Sequence, residues 1–153
     1  MTDFLDLLFE YRLLRSKEEH LQILLDDHEV TRIHGIENML RGKSVIGDAR
    51  RAMPRLMCPR SVQFTMPGRF GAGEIANISG GGAAITTTET LRVGDRTIVR
   101  IAAPETGIEY VFPCRVVWTT SARQGNVGIA FDGVPSQTQI AKRPSQAFRR
   151  LAA

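Results

Sequence analysis

The chain has 153 residues and a mass of 17.0 kDa, of which 42% are hydrophobic and 24% charged, with a formal net charge of +4. That is enough for one ordinary globular domain and a small appendage, and it excludes fibrous and disordered classes. No apolar run approaches the roughly 18 residues of a membrane span, and "MTDFLDLLFEYRLL" carries Asp3, Asp6 and Glu10 where a secretion signal would be basic and then apolar. A cytoplasmic protein without a membrane span is therefore expected.

The charge is unevenly placed. Residues 1–44 hold six Lys or Arg against nine Asp or Glu, so the remainder carries a net charge of +7. The basic part is the one expected to meet an anion.

The first forty residues repeat apolar positions at helical spacing. Phe4, Leu7, Leu8, Tyr11 and Leu14 form one stripe, and Ser16-x-x-Glu19 reads as a capping box that opens a second helix through Leu21, Leu24 and Leu25. Asp26-x-x-Glu29 reads as the start of a third, with Val30, Ile33, Ile36 and Leu40 on one face and Gly42 as its stop. Residues 1–44 are thus expected to form a helical region, either packed on its own domain or serving as a surface for self-association or an unidentified protein partner.

The segment "RGKSVIGDARRAMPR", residues 41–55, has no sustained period and reads as a linker. From residue 61 the period shortens. "SVQFTM", "GEIANI", "GAAITT", "TIVRIAA", "EYVFPCRVVWTT" and "VGIAF" are rich in Val, Ile, Phe and Thr and are separated by Gly, Pro and Asp turn signals. Six such strands without intervening helices predict an antiparallel barrel or sandwich. The fold class is α+β, mainly β, with residues 45–153 as the barrel domain, residues 45–60 as its linker, and a short closing helix in the tail "PSQTQIAKRPSQAFRRLAA".

Several local motifs fail on context. "GAGEIA", residues 71–76, satisfies a dinucleotide fingerprint, but no helix can start there. "GKS", residues 42–44, lacks the first glycine of a phosphate loop, since Glu37 stands in its place. His20, His28 and His34 do not share a helical face as metal ligands would, and Cys58 and Cys114 stand alone, as buried thiols do. No catalytic constellation is found, so the protein is read as a non-enzyme without metal or cofactor.

Two features remain. Arg51 and Arg55, with Arg50 beside them, offer planar, permanently charged donors suited to phosphate oxygens and guanine O6 and N7. Asn77 and Ser79 supply short polar groups, and Gly80, Gly81 and Gly82 let a ligand approach the backbone. A solvated basic linker followed by a glycine-rich hairpin accounts for the same residues.

Arg51-x-x-x-Arg55 followed by Asn77-x-Ser79-x-x-Gly82 resembles the paired signature of the PilZ family, an R-x-x-x-R leading into a barrel and a D/N-x-S-x-x-G on an early strand. The similarity spans roughly residues 48 to 135 and leaves the helices unexplained. It implies a six-stranded PilZ-type barrel and a receptor for cyclic di-GMP, with Arg51 and Arg55 gripping phosphate and guanine edges and Asn77, Ser79 and Gly82 holding a guanine. In similar sequences a basic residue at the place of Arg50 goes with two intercalated ligands, so the resemblance implies cyclic di-GMP bound as an intercalated dimer. Ligand binding is then expected to move the linker and helices, with residues 1–44 carrying output rather than affinity. Two other classes fit parts of the sequence: a small basic barrel binding single-stranded nucleic acid, disfavoured by the 7% aromatic content, and an adaptor acting through its helices.

Overall fold

The computed structural model describes residues 4–42, 60–120 and 125–140. Two helices, α1 (Phe4–Glu19) and α2 (Asp27–Gly42), precede seven strands: β1 (Ser61–Met66), β2 (Arg69–Ile78), β3 (Gly82–Thr87), β4 (Arg96–Ala103), β5 (Ile108–Thr119), β6 (Gly125–Phe131) and β7 (Ser136–Gln139). Every pairing is antiparallel. The sheet order is β4-β1-β2-β3-β6-β5-β7, and a further β4–β5 pairing closes the first six strands into a barrel.

Closure depends on the length of β5. Its residues Arg96-facing Arg115 back to Ile108 pair along β4, while on the other edge Cys114–Thr119 pair with β6 and Ile108–Val111 with β7. A single twelve-residue strand thus seals the barrel and carries the extra strand outside it. Alternate residues point inward, so Val62, Phe64, Ile75, Ile85, Val99, Ile101, Phe112 and Val116 fill the interior. Cys114 belongs to this core, and burial pushes its thiol pKa up, which leaves it protonated and inert.

The helices share that core. Leu5, Leu7, Leu8 and Tyr11 of α1 and Ile33, Ile36 and Leu40 of α2 join the barrel residues in one buried cluster. Polar ties add geometry: Tyr110, fully buried in β5, donates from its hydroxyl to Asp6, and the Phe9 ring lies 5.9 Å from that of Tyr110. Arg32 holds Glu10 through two bonds of 2.8 and 2.7 Å, so α2 is strapped to α1 on its exposed side.

The predicted second helix does not form. Ser16 is not a cap but a buried residue inside α1, its hydroxyl donating back to the Leu13 carbonyl at 2.7 Å. The helix ends three residues later, and Gln22 takes a left-handed φ of 53° as the chain turns toward α2. Leu21 and Leu24 consequently face solvent. The second capping box is real: Asp26 Oδ1 accepts from the Glu29 amide at 2.8 Å while Glu29 Oε1 accepts from the Asp26 amide at 3.2 Å. Asp26→Ala should therefore lower stability by about 1 kcal/mol, read as a shifted denaturant midpoint at unchanged slope.

In the tail, Ser136–Gln139 is a strand rather than the start of a closing helix. Residues 141–153 and the linker 43–59 lie outside the described residues. Among the described residues no helix is long and apolar enough to cross a membrane.

Candidate functional site

The barrel's outer face carries a pocket built by two irregularities. In β2 a bulge falls between Ile75 and Asn77, and in β5 another falls between Val116 and Trp118. A bulge shifts which face the next side chain occupies. Beyond both bulges the register aligns Asn77 with Ala84, Ala84 with Gly128 and Gly128 with Trp118, a single row across β2, β3, β6 and β5. A polar amide stands at one end of this row and an indole at the other, with only small residues between them.

The smallness is enforced. A Cβ at Gly128 would lie 2.1 Å from Trp118 Nε1, so the indole rests directly on the glycine backbone. Asn77, Ser79, Gly81 and Gly82 line one wall of the resulting open pocket, of about 230 Å³, and Val117 and Trp118 line the other. Trp118 is 39% exposed and offers a ring edge and face to a planar ligand.

Ser79 to Gly82 form a two-residue hairpin loop. The Ser79 amide donates to the Gly82 carbonyl at 2.8 Å, the Gly81 amide donates to Ser79 Oγ at 3.3 Å, and the Phe131 amide donates to the Gly81 carbonyl at 2.9 Å. The three glycines differ in role. Gly81 has open space where a Cβ would stand, Gly82 abuts the Ile129 carbonyl, and buried Gly80 turns its carbonyl toward α1. Of the sequence-predicted site residues, Asn77, Ser79, Gly81 and Gly82 are brought to one pocket; Gly80 sits behind it. Arg50, Arg51 and Arg55 lie outside the described residues.

Among the described residues the pocket lining contains no Lys or Arg. The next outward row, Gly82, Ala130, Arg115 and Arg96, places two exposed guanidinium groups on the same face, and a single carboxylate, Asp132, lies 3.9 Å from Arg115 and 3.2 Å from Arg96 and offsets one of the two charges. The chain also enters the barrel beside the site, because the Ile75 amide donates to the Arg60 carbonyl at 2.8 Å, two residues from Asn77. Arg55 precedes Arg60 by five residues, a stretch of chain that reaches at most about 18 Å.

Sequence reasoning did not single out Trp118 or Arg12. The only tryptophan of the chain near the end of a strand was a usable signal, but the bulge that turns it to the pocket leaves no trace in periodicity. The "GAGEIA" segment lies wholly inside β2, with Gly71 and Gly73 packed against Phe64 and the Thr86 carbonyl, so no phosphate-binding turn exists there.

Fold and site together define a closed antiparallel barrel with a polar-aromatic pocket on its outer face and a helical pair packed on its core. Residues 49–143 match the PilZ domain family, and the chain belongs to that family. Comparison with curated proteins gives no match. Among solved structures the chain is similar to the inhibitor of motility MotI/DgrA of Bacillus subtilis, at 19% identity and TM-score 0.49, over 69% of this chain and 53% of that one. It is also similar to YcgR of Escherichia coli in complex with c-di-GMP, at 14% identity and TM-score 0.47, over 67% of this chain and 44% of that one. The PilZ domain of YcgR with c-di-GMP gives 14% identity and TM-score 0.46, over 67% of this chain and 88% of that one. The chain thus spans about half the length of the first two.

Proposed function

We propose that the protein is a non-enzymatic receptor for cyclic di-GMP. The observation that carries this reading is that Asn77, Ser79, Gly81 and Gly82 of the N-x-S-x-x-G signature converge with Trp118 on one pocket of a PilZ-family barrel. The amide of Asn77 and the hydroxyl of Ser79 supply donor and acceptor groups for a guanine edge, and the indole supplies an apolar surface for its ring. Arg51 and Arg55, a few residues before Arg60, supply the positive charge that the described residues of the pocket lining lack. Arg50 adds a third guanidinium for a second, stacked ligand molecule.

Residues 1–44 form the helical output region and residues 45–153 the ligand-binding domain, with the arginine segment drawn onto the barrel when ligand is present. Output passes to a protein partner or to self-association, in the cytoplasm.

Titration calorimetry with cyclic di-GMP tests the reading, with GMP, cyclic di-AMP and a single-stranded oligonucleotide as comparisons. Trp118, the sole tryptophan, gives an independent signal, since stacking against it should change its emission on binding. Saturable heat and an emission change with cyclic di-GMP alone are expected. No heat with it, or equal binding of the oligonucleotide, defeats the receptor assignment.

A further inference from the structure

Helix α1 contributes a charged side chain to the back of the Ser79–Gly82 hairpin. Arg12 is only 5% exposed; its Nη1 donates to the Gly80 carbonyl at 3.3 Å and its Nη2 to Glu19 Oε2 at 3.0 Å. The guanidinium lies over the Phe131 ring, 5.8 Å from its centroid, and its Nε is buried with no hydrogen-bond partner among the described residues.

Burying a guanidinium with one donor unmet is unfavourable unless the remaining contacts matter. Arg12 stands on the same helical stripe as Leu5, Leu8 and Ser16, all buried, where an aliphatic side chain would cover the barrel without that penalty. Its two barrel contacts both frame the pocket. Gly80 is the hairpin residue between Ser79 and Gly81, and Phe131 directly follows the pocket-lining end of β6 and bonds Gly81 through its amide. Glu19 holds the other side of the fork, so the guanidinium is fixed at both ends.

We infer that Arg12 is a positioning residue for the nucleotide pocket: it fixes the Ser79–Gly82 hairpin from its buried side, so that ligand affinity depends on the Arg12–Gly80 contact itself. The ligand part of this inference rests on the receptor reading above. It assigns part of the affinity to a region that the sequence alone assigns to output. Because coupling is reciprocal, a ligand that requires this hairpin geometry also strengthens the Arg12–Gly80 contact.

The test uses the full chain and two measurements: hydrogen exchange without ligand, with the Ser79 and Phe131 amides as reporters, and calorimetric titration with cyclic di-GMP. Arg12→Met, which keeps the apolar stem, should speed exchange at both amides about tenfold and weaken binding about tenfold. Arg12→Lys, which keeps stem and charge but loses the fork, should give an intermediate effect of about threefold, and it remains readable if the methionine variant does not fold. Asp6→Asn serves as the control, since it loosens the other end of α1 at Tyr110 without touching the hairpin; it should change either quantity by less than about twofold. Wild-type exchange at Ser79 and Phe131 in folded Arg12 variants overturns the inference, as does an Asp6→Asn variant that reproduces the Arg12→Met effect. A wild-type chain that binds no cyclic di-GMP, but whose hairpin loosens in the Arg12 variants, defeats the receptor reading and leaves the positioning role standing.

Discussion

Gly82→Ala should lower the melting temperature by about 5–10 °C and abolish nucleotide binding, whereas Gly81→Ala should melt with the wild type. The two glycines are neighbours in the same signature, so the contrast separates packing from conformational freedom. A Cβ at Gly82 would stand 2.0 Å from the Ile129 carbonyl oxygen and 3.1 Å from Ala130 Cα. Both obstacles are backbone, and Gly82 pairs with Ala130 in the β3–β6 ladder, so room can be made only by opening the barrel between these strands. The same strands supply Ala84, Gly128 and Ala130 to the pocket floor, hence the loss of binding along with stability. At Gly81 an added Cβ meets nothing within 4 Å. Thermal unfolding and calorimetry on the two variants decide the matter: equal melting temperatures would show that β3 and β6 separate without penalty and that Gly82 is retained for another reason.

This division of labour among three consecutive glycines marks the limit of what sequence reading reaches. The six barrel strands were legible because each alternates inward aliphatic or aromatic residues with outward ones, and "GAAITT" matches β3 end to end. Strand β2 begins four residues before "GEIANI", since the turn uses only Pro67 and Gly68, the latter at φ +75°, and Gly71 and Gly73 are strand residues kept small by neighbours across the sheet. Strand β7 was not legible: all four of its residues are exposed and polar, and it is held by backbone pairing to β5 alone. The false second helix follows from local chemistry that occurs in two contexts, because Ser-x-x-Glu can cap a helix or, with the serine bonded back to i−3, sit inside one. For the site, Asn77, Ser79 and the glycines were found by their motif, but the row that joins Asn77 to Trp118 exists only because two bulges on separate strands fall in register. Arg12 lies off the stripe of Phe4, Leu7, Leu8, Tyr11 and Leu14, so nothing in the helical period marks it as buried against the barrel.

Arg51→Ala and Arg55→Ala should each weaken cyclic di-GMP binding at least tenfold while leaving the melting temperature of the free protein unchanged. The pocket presents an amide, a hydroxyl, glycine backbone and an indole, which suit a guanine and leave phosphate charge unmatched. Arg96 and Arg115, the guanidinium groups of the adjacent row, already face Asp132. The receptor reading therefore assigns the counter-charge to Arg51 and Arg55, and the Arg60–Ile75 backbone bond sets Arg60, five residues after Arg55, beside the strand bearing Asn77. A charge-assisted hydrogen bond contributes about 1.5–3 kcal/mol, which is roughly a ten- to hundredfold change in affinity per arginine. Two intercalated ligands would bring four phosphate charges together, so Arg50→Ala should reduce the ligand-to-protein ratio from two toward one and leave the affinity of the remaining molecule nearly intact. Calorimetry on the three variants at matched ionic strength checks both statements, because screening would otherwise blur the comparison. Affinity unchanged in Arg51→Ala and Arg55→Ala would place the phosphate grip elsewhere on the barrel, and a wild-type ratio of one at saturation would remove the reason for a third arginine.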